Sequence, residues 1–358
     1  MHRIPWGLLI FAGLAAGPFI PLVQTFILEN NLGSTLPSLF IGAILGLALN
    51  VVLGNAGQLH LGIAAFYGIG AFTMAILQVA IYPFQWGFWP ALLMAALVSA
   101  FIGIVLSSPT LRLRGDYLAL VTLGFGVITI TLLRKFDEIT GGKQTLNPIP
   151  TPKLPEFLTS PYTWWDNKSL LNLLELGDDW SKEYRLFYFL TLGFLAAIYW
   201  LLRNIERSRL GRAWLAVRED ELAATCMGIN AARMKLAAFA LSAGIAGLAG
   251  GLYAVKTGTT NEPTYFDFSL SVTVLCAVIL GGLGSRNGVL LGILFINGFE
   301  LILAPQLDSY LQKLNFNPEG KNYLKFSNWK LMIFGLALLL MMRFRPYGII
   351  PERRANRG

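Results

Sequence analysis

A chain of 358 residues that is 55% hydrophobic and only 13% charged, with mean hydropathy +0.58, has too few polar groups to cover a soluble surface of its size. It reads as an all-α integral membrane protein, and its net charge of +8 then speaks of membrane topology rather than of nucleic acid. Two histidines and two cysteines, Cys226 and Cys276, leave no room for a His-based metal cluster or a disulfide framework.

A transmembrane helix needs roughly 20 apolar residues, and Lys or Arg at its centre is strongly disfavoured, so long runs without basic residues mark the spans. About ten are predicted on this criterion: near residues 7–27, 36–54, 60–81, 88–107, 117–133, 186–202, 236–255, 268–283, 287–304 and 328–344. They make one transmembrane domain, 1–358, with an outer cap segment at 134–185 and a polar cytoplasmic segment at 203–235. With both termini cytoplasmic, ten spans put Arg3, Arg112, Arg114, the 203–235 segment, Arg286 and the tail Arg343, Arg345, Arg353, Arg354 and Arg357 on one side. These hold 16 of the 28 Lys and Arg residues, the asymmetry expected of a cytoplasmic face.

In chain order, the second span sets Gly42, Gly46, Asn50 and Gly54 four residues apart, a small face suited to close helix packing. The stretch GNAGQLHLGIAAFYGIGAF follows, and its Asn55, Gln58 and His60 interrupt the apolar run. Irregular backbone at membrane depth is tolerated only inside protein or beside a water-filled cavity. Asn50, Asn55, Gln58 and His60 are therefore candidates for a translocation path, although a packed, hydrogen-bonded His60 satisfies the same pattern. Arg112, Arg114 and Asp116 mark the boundary of the fifth span, and the outer segment is rich in Pro and Trp. Gly142-Lys143 lacks the Ser or Thr that a phosphate loop needs next, so no ATP site is expected in the chain.

The polar segment reads RNIERSRLGRAWLAVREDELAATCMGINAARMK. Ala213–Val217 and Leu222–Met227 are short helix-forming runs, and the triplet Glu219, Asp220, Glu221 sits where acids favour the start of the second. Gly228 is a natural helix stop and Asn230 a natural N-cap. Such a segment serves either as an ordinary basic loop or as a docking element. Beyond it, Ala243, Gly247 and Gly251 recur four apart as a second close-packing stripe. GGLGSRNG at 281–288 predicts a tight turn between the eighth and ninth spans. Glu300 is a lone acid in the ninth, either a pathway group or an interfacial one.

GQLHLGIAAFYGIGAF, GDYLALVTLGFGVI with ITGGKQTL, RSRLGRAWLAVREDELAATCMGIN, and VLCAVILGGLGSRNGVLLG together resemble permeases of bacterial high-affinity branched-chain and neutral amino acid ABC importers, of the LivM type. The resemblance implies an ABC importer permease fold and a non-catalytic subunit in the bacterial inner membrane. It implies as partners a second, LivH-like permease, two cytoplasmic ATP-binding subunits that carry the ATP and Mg, and a periplasmic substrate-binding protein. The ATPase-coupling residues would be Arg218, Glu219, Asp220, Glu221, Ala223, Ala224 and Gly228. Ala223, Ala224 and Gly228 fit a Glu-Ala-Ala-x3-Gly pattern, with Leu222 in the Glu place and Glu221 one residue earlier. Urea and short-chain amide importers share these blocks and stand as an alternative substrate class. A proton-coupled carrier or a membrane-embedded enzyme would need convergent titratable groups, and the spans offer only Glu300 and Asp116.

Overall fold

The computed structural model describes residues 32–110, 116–136, 140–142, 145–150, 184–313, 326–345 and 348–350. The first predicted span, Arg112 and Arg114, most of the outer cap segment and the Arg353 to Arg357 tail lie outside the described residues. Among those described, every regular element is helical. The elements in order are α1 (Leu32–Asn50) continuing into a π-helical turn (Val51–Asn55), α2 (Ile63–Gln78), α3 (Phe88–Thr110), α4 (Asp116–Lys135) and α5 (Tyr184–Arg207). Then come α6 (Arg209–Glu219), α7 (Glu221–Cys226), α8 (Ala231–Thr257), a 3-10 turn (Pro263–Phe266), α9 (Phe268–Gly281) and α10 (Arg286–Gly298). A second π-helical turn (Phe299–Leu303), α11 (Ala304–Lys313) and α12 (Phe326–Phe344) complete the chain.

Each predicted span from the second to the tenth has a helix in its place, and 7 helices among the described residues are long and apolar enough to cross a membrane. Two departures have local causes. Only 16 residues of the third predicted span are helical. At 1.5 Å per residue that is about 24 Å, short of the roughly 30 Å hydrocarbon thickness, and the irregular 56–62 stretch precedes it. In the ninth, the helix runs past the predicted end and widens to π form just before Pro305. Proline donates no N–H and crowds the carbonyl four residues back, which the wider turn accommodates.

The bundle is built around α1 and α8, whose span windows are 83% and 72% buried, against 17% for α4. On α8 the stripe Ala243, Gly247, Gly251 faces α3: a Cβ at Gly247 would overlap Ser99 Oγ and stand 2.7 Å from the Ala95 carbonyl. One residue around the helix, Gly250 abuts the Tyr67 carbonyl of α2, and Gly70 abuts the Gly247 backbone. The Gly42 and Gly46 face packs on Asn297, Ile293 and Val289 of α10. Both predicted stripes thus have partners within the chain. In lipid, where tails are as apolar as leucine, association rests on such close van der Waals contact and on polar side chains between helices. Ser242 Oγ donates to the Ala48 carbonyl at 2.7 Å, Ser99 Oγ to the Phe66 carbonyl at 3.3 Å, and Ser271 Oγ accepts from Ala64 N–H at 3.1 Å.

These contacts sort the connections onto two sides. Asn50 Oδ1 accepts from Gly284 N–H at 3.0 Å, Arg286 pairs with Glu206 at 3.1 Å, and Ile349 and Ile350 donate to the Leu280 and Gly281 carbonyls. Hence the α6–α7 segment, the 281–288 turn and residues 348–350 share one side, as the count of spans between them requires. The opposite side holds residues 145–150, where Ile149 N–H donates to the Gly258 carbonyl at 2.9 Å, and the Arg134–Glu262 pair.

Gly247→Leu is expected to lower stability by about 1–3 kcal/mol or more, because the side chain must push α3 away. Gly193→Leu, at a site with nothing within 4 Å of a Cβ, serves as control. Equal melting temperatures of the two detergent-solubilised variants would contradict the packing role.

Candidate functional site

Two regions carry the polar chemistry, and they adjoin. The first is the helical corner α6–α7. Helix α5 ends at Arg207 and the chain turns at Ser208, whose Oγ donates back to the Ile205 carbonyl at 2.6 Å. Helix α6 lays Trp214 and Val217 inward, and Trp214 Nε1 donates to the Met234 carbonyl of α8 at 2.8 Å, satisfying the one polar atom of a buried indole. Asp220 then does double duty: it ends α6, and its carboxylate caps α7 by accepting from Leu222 and Ala223 N–H at 2.9 and 3.0 Å.

Helix α7 closes as its sequence predicts. Gly228 takes the left-handed φ of +84°, Ile229 N–H returns to the Ala224 carbonyl at 3.0 Å, and Asn230 caps α8 through Arg233 N–H. Val217, Ala224 and Ala231 form a small core of their own. Glu221 pairs with the largely buried Lys235 at 2.8 Å, drawing α7 onto α8. This explains the one-residue shift from the Glu-Ala-Ala pattern: the acid at 221 is engaged inward, and Leu222 at the next position is exposed. Leu222 at 65% and Met227 at 84% exposure are large apolar side chains left in the open by a polar segment, and Glu219, Ala223 and Cys226 are exposed as well.

The second region is the break between α1 and α2. Arg218 of α6 donates to the Gly54 carbonyl there. Asn50 is buried and tied to Gly284, and Asn55 is half-buried at the end of the π turn. Gln58 is buried with Oε1 lacking a hydrogen-bond partner. His60 is packed as expected, its ring 5.2 Å from Phe239 and 5.6 Å from Phe66, but both ring nitrogens lack hydrogen bonds, contrary to the expectation of a bonded imidazole. It borders a crevice shared with Ser107, Thr122 and Thr129, whose inner space of about 10 Å³ suits a single water. Thr122 Oγ1 accepts from Leu61 N–H at 3.1 Å and fixes the irregular stretch to α4.

Glu300 does not join this region. It lies in the π turn past Asn297, which meets α1 at Gly42, whereas Gly284 meets α1 at Asn50. The helix runs fourteen residues from Arg286 beside that turn to Glu300, about 21 Å. No group of three or more potential metal ligands occurs among the described residues. Thr122, Gly57 and the Tyr199–Asn287 hydrogen bond of 2.7 Å beside Arg286 were not marked by sequence pattern, because nothing local distinguishes a threonine or tyrosine that bonds across helices. Leu222 was legible as an apolar residue in a polar run.

Asp220→Ala should remove the cap of α7, at about 1 kcal/mol of local helix stability. The expected result is faster amide exchange across 221–227 with unchanged melting of the whole protein; unchanged exchange would count against a discrete capped helix.

Residues 31–342 match the family described as branched-chain amino acid transport system / permease component. The high-affinity branched-chain amino acid transport system permease protein LivM of Salmonella typhimurium is 40% identical over 314 residues, 87% of this chain and 68% of that one. Its counterpart in Escherichia coli is 39% identical over 325 residues, 90% and 70% of the two chains. The LivH permease protein of Escherichia coli is 30% identical over 146 residues, 41% of each. No solved structure matches. On the breadth of the family match, which takes in both the α6–α7 corner and the broken second span, the chain belongs to the family of branched-chain amino acid transport system permease components.

Proposed function

We propose that this permease is the LivM-type subunit of an ATP-driven importer that moves branched-chain or other neutral amino acids into the bacterial cytoplasm through the inner membrane. The chain contributes the membrane path and no catalysis. ATP and Mg reside on two cytoplasmic partner subunits, a LivH-like permease completes the pathway, and a periplasmic binding protein delivers substrate. The α6–α7 side is the cytoplasmic side, in keeping with its arginines. Both termini then lie in the cytoplasm if ten spans are present.

The observation that carries this reading is the build of α6–α7. A loop that merely connected two spans would need neither an Asp220 cap nor a core of Val217, Ala224 and Ala231, and would have no cause to present Leu222 and Met227 outward. A capped helix with exposed apolar side chains, set on the cytoplasmic ends of α5 and α8, is suited to receive a partner that moves. Helix α7 accordingly seats in a groove of the ATP-binding subunit. Glu219, Asp220, Glu221, Ala223, Ala224 and Gly228 shape the seat, Leu222 and Met227 supply its apolar contact, and Arg218 links it to the broken end of α1. The break at Asn50, Asn55, Gln58 and His60 borders the path; Glu300, far along the helix pair, serves at its outer end.

Leu222→Asp with Met227→Asp places two charges on the seat and should abolish copurification of the ATP-binding subunits, a loss of about 2–5 kcal/mol at a desolvated interface. Full copurification and normal substrate-stimulated ATP hydrolysis would remove the docking assignment. Separately, tags at Lys168 and Lys321 should be reached by reagents only from outside, and one at Gly358 only from the cytoplasm; a cytoplasmic Lys168 would break the ten-span topology. Competition of leucine uptake by neutral amino acids but not by urea in cells depending on this chain fixes the substrate class.

A further inference from the structure

Three segments meet at the Gly54 peptide. Gly54 lies in the π-helical turn that ends α1, so its carbonyl is among the last four of a broken helix, which have no donor within the helix. The Arg218 guanidinium supplies one. A cation at a helix C-terminus is also favoured by the helix dipole. The stem of the same side chain lies across Gly57, where φ is +67° and a Cβ would stand 2.7 Å from Arg218 Cγ. On the other face of Gly54, a Cβ would overlap Asn50 Oδ1 and stand 2.6 Å from the Gly284 nitrogen. Downstream, Ala56 and Gln58 N–H donate back to the Val51 and Val52 carbonyls at 3.2 and 3.0 Å, and Leu61 is held by Thr122. A displacement of the Gly54 peptide therefore cannot stay local; it reaches the stretch that bears the buried Gln58 and His60.

On its other side, Arg218 belongs to a unit held together by several contacts. The core of Val217, Ala224 and Ala231, the Trp214 bond to Met234 and the Glu221–Lys235 pair join α6, α7 and the start of α8. We propose that Arg218 is a positioning residue that carries displacement of the docking unit into the broken end of α1 and the 56–62 stretch. The inference rests on α6–α7 being the docking unit and assigns Arg218 a role in transmission instead of in contact with the ATP-binding subunit. The bond joins the docking unit to the break. Its effect falls on coupling.

Arg218→Met keeps the stem over Gly57 and loses the donor, whereas Arg218→Lys keeps both stem and donor. In the assembled transporter reconstituted in liposomes, with leucine as the probe, Arg218→Met is expected to retain its ATP-binding subunits and hydrolyse ATP while leucine uptake per ATP falls roughly fivefold or more. Arg218→Lys should recover most of that ratio. An unchanged ratio in Arg218→Met overturns the proposal, and so does loss of the ATP-binding subunits in both variants, which would give Arg218 a direct docking contact. Failure of the docking reading itself registers elsewhere, as retention of those subunits by the Leu222→Asp, Met227→Asp variant. In the unaltered transporter, amide exchange of residues 54–62 should differ between the nucleotide-free and vanadate-trapped states. Identical exchange in the two states overturns the proposal without recourse to any variant.

Discussion

The structure depends on the absence of side chains along two edges of α8. Where Gly247 meets Ser99 and Ala95, and where Gly250 meets Tyr67, three helices come close enough for backbone to touch backbone. Water does not drive this association, since lipid tails are as apolar as the residues displaced; contact area and a few hydroxyl bonds do. Ser99 and Ser242 place such bonds beside the stripe, each spending its donor on a carbonyl of the neighbouring helix. Helix α8 is clamped between α2 and α3 and tied to α1 along its middle, and the α6–α7 corner is fastened to its beginning.

The corner is designed to be rigid at two levels. Locally, Asp220 and Asn230 cap successive helices and Gly228 supplies the left-handed turn between them. Globally, Trp214 and Lys235 fasten the corner to α8, so that force applied at Leu222 or Met227 moves a body instead of bending a loop. The broken second span is built differently: its π turn, the irregular 56–62 stretch and the unbonded polar atoms of Gln58 and His60 replace a regular helical ladder.

Much of this was written in local sequence. The helices that stand in the second to tenth predicted spans follow from runs of apolar residues, because a bilayer imposes a similar length on each such run. The cap at Asn230 and the stop at Gly228 follow from an amide that bonds its own neighbours and a residue free to turn left-handed, so three or four residues suffice to foresee them; the acidic triplet marked the start of α7, and the structure makes Asp220 its cap. The small-residue stripes announced close packing for the same reason: four-residue spacing defines a helix face without knowledge of what lies opposite.

What lay opposite was decided by tertiary structure alone. Sequence marked Ala243, Gly247 and Gly251 as a contact face but could not say that α3 fills it, nor that Gly42 and Gly46 receive α10, because partner choice is a competition among all helices of the bundle. His60 was foreseen as packed and hydrogen-bonded; its ring is packed against Phe66 and Phe239 from two helices, and its nitrogens have no hydrogen-bond partner. Arg218 was legible only as one arginine among many in a basic segment. Its bond to the Gly54 carbonyl joins residues 164 positions apart, and no local pattern encodes a contact whose geometry exists only once both helices are in place. Sequence by itself determined the class of protein, the spans and the caps, since each is a short-range balance between a segment and its solvent. The joining of corner to break is a long-range coincidence of surfaces, and the packed bundle alone brings it about.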